Sequence, residues 1–437
     1  MPVIGLFVSS ALMTAAMAEA SAVATLVAAG QLSTSLAALP NTGAVAGTGI
    51  GALTLSQLMR RWGRRCGLLT GYGIACTGAL AATAAVSRHE VGLLVAGMTL
   101  LGVGNAGALL SRYAAADLYP DRPGRAIGAV VWAGTIGAVS GPLLMMPAQH
   151  MAATQGHDPM SGPFVFALVA AVGALLAAAA TRPTRPTAAS GHRAASRTAA
   201  ATMITAQLVM VAVMTAAPLS MHMHGADLGA VGAMLSAHTF GMFALAPLSG
   251  WLVDRFGARV VMAAGLATLA GSAAFVADSP SGIALTAALF LLGYGWNLAI
   301  IGGSGTLAGD GGAQGAVDAL SWGASTLATT ASSLLFVHGG YPVLAASAAA
   351  ICALPFAALL RRGAVERHYP PGVQSPVLTD AVALRPALAS RAISASVSTN
   401  PVSDESSAVA NTTPSTAPLG VISGPPELPL RTTDRIE

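Results

Sequence analysis

A short basic turn occurs twice in this chain, each time after a long apolar run. Arg61-Trp62-Gly63-Arg64-Arg65 follows the first run, and Asp254-Arg255-Phe256-Gly257-Ala258-Arg259 follows the second. A further echo keeps the same order: Leu101-Gly102-Val103-Gly104-Asn105 returns as Leu292-Gly293-Tyr294-Gly295-Trp296-Asn297. A chain doubled in this way builds two similar bodies, and a basic turn between apolar segments is what a duplicated membrane bundle presents.

Composition agrees. Of 437 residues only 9% are charged and 54% are hydrophobic, against roughly 25% charged in a soluble domain. Most of the chain is therefore shielded from water. The apolar runs reach the ~20 residues that a helix needs to cross about 30 Å of hydrocarbon. Fifty glycines, with abundant alanine, suit helices that approach backbone to backbone in lipid. All 21 basic residues are arginine, and those of the membrane region sit in the short turns and the linker between spans, so the net charge of +4 is no signal for nucleic acid. Cys66, Cys76 and Cys352 have neither disulfide nor zinc spacing and read as packing residues.

Twelve spans are expected, near 4–29, 39–59, 66–87, 91–111, 126–148, 161–180, 199–221, 228–252, 259–277, 281–305, 315–337 and 341–360. The first twenty residues end in Ala16-Met17-Ala18 but lack the basic start of a signal peptide, so they read as span 1. The expected organisation is an N-terminal six-helix bundle (1–180), a polar linker (181–198) and a second six-helix bundle (199–362). A Pro/Ser/Thr-rich tail (363–437) follows and reads as disordered. Arginines cluster in the 2–3, 4–5 and 8–9 turns, in the linker and after span 12, which places both termini in the cytoplasm. The 10–11 turn is the exception, with Asp310 and Asp318 and no arginine.

The repeated turn resembles the G-x-x-x-D-R-x-G-R-R signature of the major facilitator superfamily. The second copy supplies Gly250, Asp254, Arg255, Gly257 and Arg259. The first keeps Arg61, Gly63, Arg64 and Arg65 but has Ser56 and Arg60 where the signature has Gly and Asp. Asp117 in the neighbouring 4–5 turn is a candidate for the lost acid, and Arg112 and Asp117 are expected to bridge helix ends. In span 5, Gly128, Gly137, Gly141 and Pro142 are similar to the antiporter signature of exporters in the superfamily, although Met145 and Met146 stand where the closing glycines would be. The span 4 signature is lost at Met98 and Leu101.

The resemblance implies an all-α membrane protein: twelve transmembrane helices in two pseudosymmetric six-helix bundles, the major facilitator fold. It implies a secondary transporter of the bacterial inner membrane that rocks its halves about a central site. The expected action is export of small lipophilic or amphipathic compounds, driven by the proton gradient without a cofactor, in a monomer that binds substrate, protons and lipid. Uptake of a sugar or organic acid is one rival, and a non-transporting scaffold or sensor that recruits partners through its tail is another. No phosphate loop, zinc helix or nucleophile elbow occurs, so no enzyme is expected.

Polar residues inside a span mark a wet cavity, because lipid tolerates them poorly. Glu19 and His238 are the proton-coupling candidates. Asn105, Trp132, Trp296, Asn297 and Trp322 are the cavity candidates. Spans 3, 6, 9 and 12 carry no ionisable or amide residue well inside the bilayer and should face lipid. With no arginine expected in the cavity, a strongly charged substrate is disfavoured. Met221-His222-Met223-His224 offers soft donors but no convergent set, so no metal site is expected.

Overall fold

The computed structural model describes residues 2–31, 36–186, 193–223, 228–278 and 282–368. These form helices α1 (Pro2–Gln31), α2 (Leu39–Trp62), α3 (Arg64–Arg88), α4 (Val91–Leu118), α5 (Pro123–Thr154) and α6 (Gly162–Ala179). After the linker come α7 (Arg193–Met223), α8 (Leu228–Phe243), α9 (Ala246–Phe256), α10 (Ala258–Asp278), α11 (Gly282–Leu307) and α12 (Gln314–His368). No strand occurs among the described residues. The linker is shorter than expected, since α7 already starts at Arg193. Beyond His368 the expected tail lies outside the described residues, as do 187–192 of the linker.

Helix breaks fall where the backbone chemistry demands them. The eighth crossing is split into α8 and α9, because Pro247 lacks an N–H and its ring excludes the carbonyl four residues earlier. α5 bends by 46° between Gly141 and Leu143, at Pro142. α12 carries the last two expected crossings and leaves helical geometry at Gly340 (φ 65°), two residues before Pro342. Gly63 (φ 95°) and Gly257 (φ 85°) turn the chain in the two copies of the basic motif, in a backbone region that disfavours any residue with a Cβ.

Among the described residues, nine helical segments are long and apolar enough to cross a membrane, or ten if the bent α5 is one span. The two expected crossings that fall short are α2 and the first part of α12. They pack against each other across the midline of the molecule, and part of their polar complement, Ser56 and Gln314, Asp318, Ser321 and Ser325, is buried there.

The sequence echo is an echo in packing. In the first half a methyl on Gly102 would overlap the carbonyl of Ala44, and one on Gly47 would overlap that of Thr99. In the second half Gly293 stands in the same way against His238 and Gly241 against Phe290. Each residue of the second set is the repeat partner of its counterpart in the first. Gly104 against the Gly71 carbonyl (3.2 Å) is matched by Gly295 against that of Gly265 (3.0 Å). Crossings this close require glycine, and they let dispersion and weak backbone contacts hold helices together where lipid supplies no hydrophobic drive.

Candidate functional site: a central cavity above a polar gate

α1, α2, α4 and α5 face α7, α8, α11 and α12 across a cavity of about 480 Å³. Each lining helix contributes a stripe at helical spacing. α1 supplies Ser10 and Thr14; α4 supplies Asn105, Ala108, Leu109 and Arg112; α12 supplies Asp318, Ser321, Trp322, Ser325 and Thr329. These recur every three or four residues, so each set lies along one face.

The two walls differ. The second half supplies the aromatic rings Phe243, Trp296 and Trp322. Trp296 is fixed twice: its Nε1 donates to Gln207 Oε1 at 2.7 Å, and its ring meets Phe243 edge-on at 6.0 Å. Gln207 Nε2 in turn donates to Ser325 Oγ at 2.9 Å. The first half supplies no ring: its lining is largely aliphatic, with Val45, Leu109, Val130 and Val131, beside Ser10, Thr14, Arg112 and Asn105, whose amide donates to Thr48 Oγ1 at 3.4 Å.

Three of the cavity candidates, Asn105, Trp296 and Trp322, line it. Trp132 does not. Val130, Val131 and Gly134 are the cavity face of α5, and Trp132 lies on the opposite face with Ile136, Val139 and Leu143, 38% exposed and 5.8 Å from Phe7. Asn297 is fully buried beside the cavity and fastens α11 to its neighbours: Nδ2 donates to Met242 O at 2.6 Å, and Oδ1 accepts from Ser249 Oγ at 2.5 Å.

The proton-coupling candidates also sit off the cavity lining. His238 is buried between α8 and α11, its Nδ1 donating to Leu289 O at 2.8 Å, while Nε2 has no partner. It occupies the repeat position of Ala44, a helix-crossing site. Glu19 is buried on α1 where Gly141 of α5 crosses, and neither carboxyl oxygen has a hydrogen-bond partner. Of the Met/His stretch, Met221 is buried in α7 and His224 lies outside the described residues.

The expectation that the cavity lacks arginine is overturned. Arg112 and Asp318 line it and are the charged side chains among its described lining residues. Arg112 looks like a turn residue in the sequence, but α4 continues to Leu118 and leaves it a turn and a half inside. Asp318 likewise belongs to α12 and not to a turn. Arg112 Nη2 binds Asp318 Oδ1 at 2.5 Å and Tyr113 Oη at 3.1 Å; Nε binds Ser304 Oγ at 2.9 Å, and Nη1 binds Leu109 O at 2.7 Å. Two of these bonds tie the first half to the second. The missed signal was the polar stripe of α12, in which Asp318 keeps step with Ser321, Ser325 and Thr329.

Below the cavity, at the arginine-rich ends, the halves interlock. Gly124 and Gly128 of α5 press on Gly250 and Ala246 of α9. The repeat-related crossing sets Ser56 and Ala52 of α2 against Gly315 of α12, so the glycine lost at Ser56 is answered by one on its partner. Asp254 accepts from the first-turn amides Gly124 N (2.7 Å) and Arg125 N (3.0 Å), where a carboxylate meets the positive end of α5. Arg60 cannot do this in the first copy; there Asp310 accepts from Ala313 N at 3.3 Å within its own loop. Arg64, buried, binds Asp117 Oδ2 at 2.7 Å and Gln314 Oε1 at 2.8 Å. Asp117 thus pairs with the motif arginine Arg64, and Arg112 bridges to Asp318 instead of working beside Asp117. Arg61 and Arg255 are exposed, and Arg65 and Arg259 are partly buried.

Farther out on α5 the glycines pack within their own half. Gly137 packs on Ala11, Thr14 and Ala15 of α1, and Gly141 on Ala15 and Ala18. The named contacts between halves therefore lie level with the cavity or below it, toward the arginine-rich ends.

The sequence profile of the Major Facilitator Superfamily matches residues 4–206. The uncharacterised MFS-type transporter YdeG of Bacillus subtilis is 34% identical over 61% of this chain and 68% of its own length. The riboflavin transporter RfnT of Brucella anthropi is 29% identical over 67% and 78%. Among solved structures, the transporter FucP in its outward conformation superposes with a TM-score of 0.67 at 15% identity, over 83% of this chain and 98% of that one. A bacterial homologue of the iron transporter ferroportin in an outward-facing state gives 0.62 at 14%, over 83% and 100%. Duplicated halves, a cavity at their interface and a relative at this identity lead to one assignment: the chain belongs to the major facilitator superfamily.

Proposed function

We propose that this secondary transporter exports small lipophilic or amphipathic compounds in exchange for protons, by alternating access across a bacterial inner membrane with its arginine-rich ends in the cytoplasm. The observation that carries the reading is the cavity between the halves. Its volume falls within the ~300–1,000 Å³ typical of small-molecule sites. Aromatic rings on one side face a mainly aliphatic side, hydroxyl and amide groups stand on both, and its two charges cancel each other. Such a surface favours a compound with an apolar ring system and a polar edge over an ion. The interlocked arginine-rich ends correspond to an outward-facing state. The glycine pattern of α5 supports export.

Fluorescent dyes and drugs in inverted vesicles test this. Imposing an acidic lumen should drive dye accumulation in vesicles containing the protein and not in those with an empty vector. Accumulation that ignores the pH gradient would remove proton exchange from the reading.

Uptake is the second reading, favoured by the relative RfnT, a riboflavin transporter. Riboflavin belongs in the same assay: entry into right-side-out vesicles driven by an acidic exterior would replace export with import.

A further inference from the structure

One carboxyl oxygen at the cavity wall has no hydrogen-bond partner. Asp318 gives Oδ1 to Arg112, but Oδ2 is left without a donor while the side chain is only 6% exposed. Leaving a buried acceptor unpaired is costly, a proton on Oδ2 would relieve that cost, and Asp318 is among the residues that border the cavity. Arg112 is differently placed. Within its own half it also holds Leu109 O and Tyr113 Oη, so it keeps its position on α4 if the carboxylate loses its charge. The Arg112–Asp318 contact is also an ion pair that spans the two halves, joining α4 to α12. Glu19 has unpartnered oxygens too, yet it is not among the residues that border this cavity.

We propose that Asp318 is the residue through which the coupling proton acts. A proton from the cavity binds the carboxylate at Oδ2 and yields the neutral acid, with no other bond made or broken. The charge attraction across the midline is then lost, which weakens the closure of the arginine-rich ends to its uncharged-acceptor bonds, Arg112 to Ser304 and Arg64 to Gln314. Release of the proton to the newly opened side restores the carboxylate, which recaptures Arg112. The inference rests on the transport reading and adds to it the residue where the proton binds.

The groups that face this part of α12 fit the role. α4 presents Arg112 and Tyr113, α3 presents Arg64 to Gln314 one turn earlier, and α2 brings Arg60 beside Gly312. α7 and α11 turn the uncharged Gln207 and Ser304 toward it. Arg64 is answered by Asp117 and Arg60 stands with Asp310 at Gly312, so Arg112 is the cation whose charge Asp318 meets, and Asp318 is the acid among the described cavity-lining residues.

The test needs no substrate. In full-length protein in nanodiscs, with the native cysteines replaced, spin labels at Trp62→Cys and Phe256→Cys report the distance between the two basic turns. In the parent, lowering the pH should shift the ratio of long to short distances by about tenfold, within the range usual for two-state coupling. Asp318→Asn should hold the long-distance population at every pH. Asp318→Glu, which retains the acid, should preserve the response and guards against reading a folding defect as a result. An unchanged pH response in Asp318→Asn would overturn the assignment and leave the transport reading standing. A single distance at all pH values in the parent would overturn both.

Discussion

Gly128 gives the sharpest contrast between packing within a half and packing between halves. A methyl there would overlap the carbonyl of Ala246 and stand 3.3 Å from Cα of Gly250, both on α9 of the other half. Overpacking of this kind costs about 1–3 kcal/mol. Replacing glycine by alanine in a helix gains back roughly 1 kcal/mol of propensity, but that gain is present whether the halves are together or apart. It cancels from the conformational equilibrium, whereas the clash exists only when the arginine-rich ends are closed. Gly128→Ala should therefore shift the population toward open ends by about 5–150-fold, with little loss of thermal stability. Gly137→Ala is the control. Its methyl would meet Thr14 Cβ at 2.7 Å and Ala15 N at 2.8 Å on α1, inside the first half. That clash persists in both states, so Gly137→Ala should lower the unfolding temperature and leave the population ratio alone. Spin-label distances between the basic turns, together with thermal unfolding of the same samples, report the two quantities separately. The reasoning fails if Gly128→Ala leaves the distances unchanged, or if Gly137→Ala moves them as far.

Asp254→Ala should open the same interface by removing the acceptor for two first-turn amides of α5, a loss of about 0.5–2 kcal/mol. Arg125→Ala should matter less, since its 3.9 Å contact with Asp254 is 45% exposed and such pairs contribute about 0–1 kcal/mol; distances in both variants rank the two. Gln207→Leu strands the indole N–H of Trp296 and should cost about 1–3 kcal/mol, read as weaker half-saturation by a transported dye. Trp322→Ala should impair dye transport, whereas Trp132→Ala, on the lipid face of α5, should leave its rate unchanged in the same vesicles.

Much of the fold was written in the repeat. The spacing that relates the two basic turns also relates Gly47 to Gly241 and Ala44 to His238, so one duplication announces several helix crossings at once. Breaks at Pro142 and Pro247 follow from a missing N–H. The cavity was only half legible. Polar or aromatic character inside a span found Asn105, Trp296 and Trp322, but residue type says nothing about rotation, and Trp132 sits on the far face of its helix. Arg112 and Asp318 escaped for a different reason. Each lies near a turn in the sequence, and their helices extend farther than hydropathy suggests because a buried ion pair lets a charged residue stay inside. The partner of Arg112 is about two hundred positions away, and no local pattern carries that information. Asn297 shows the converse: a polar residue in a span can serve a helix junction instead of a solute.

Alternating access to the central cavity is the claim on which the rest depends. Ser321, on the cavity face of α12, can be replaced by cysteine in a background without Cys66, Cys76 and Cys352, and labelled with a membrane-impermeant maleimide. The account predicts labelling from both faces, in right-side-out and in inverted vesicles, with labelling from the arginine-rich face accelerated by Gly128→Ala. A cysteine at this position that reacts from one face only, whatever happens at Gly128, would contradict it.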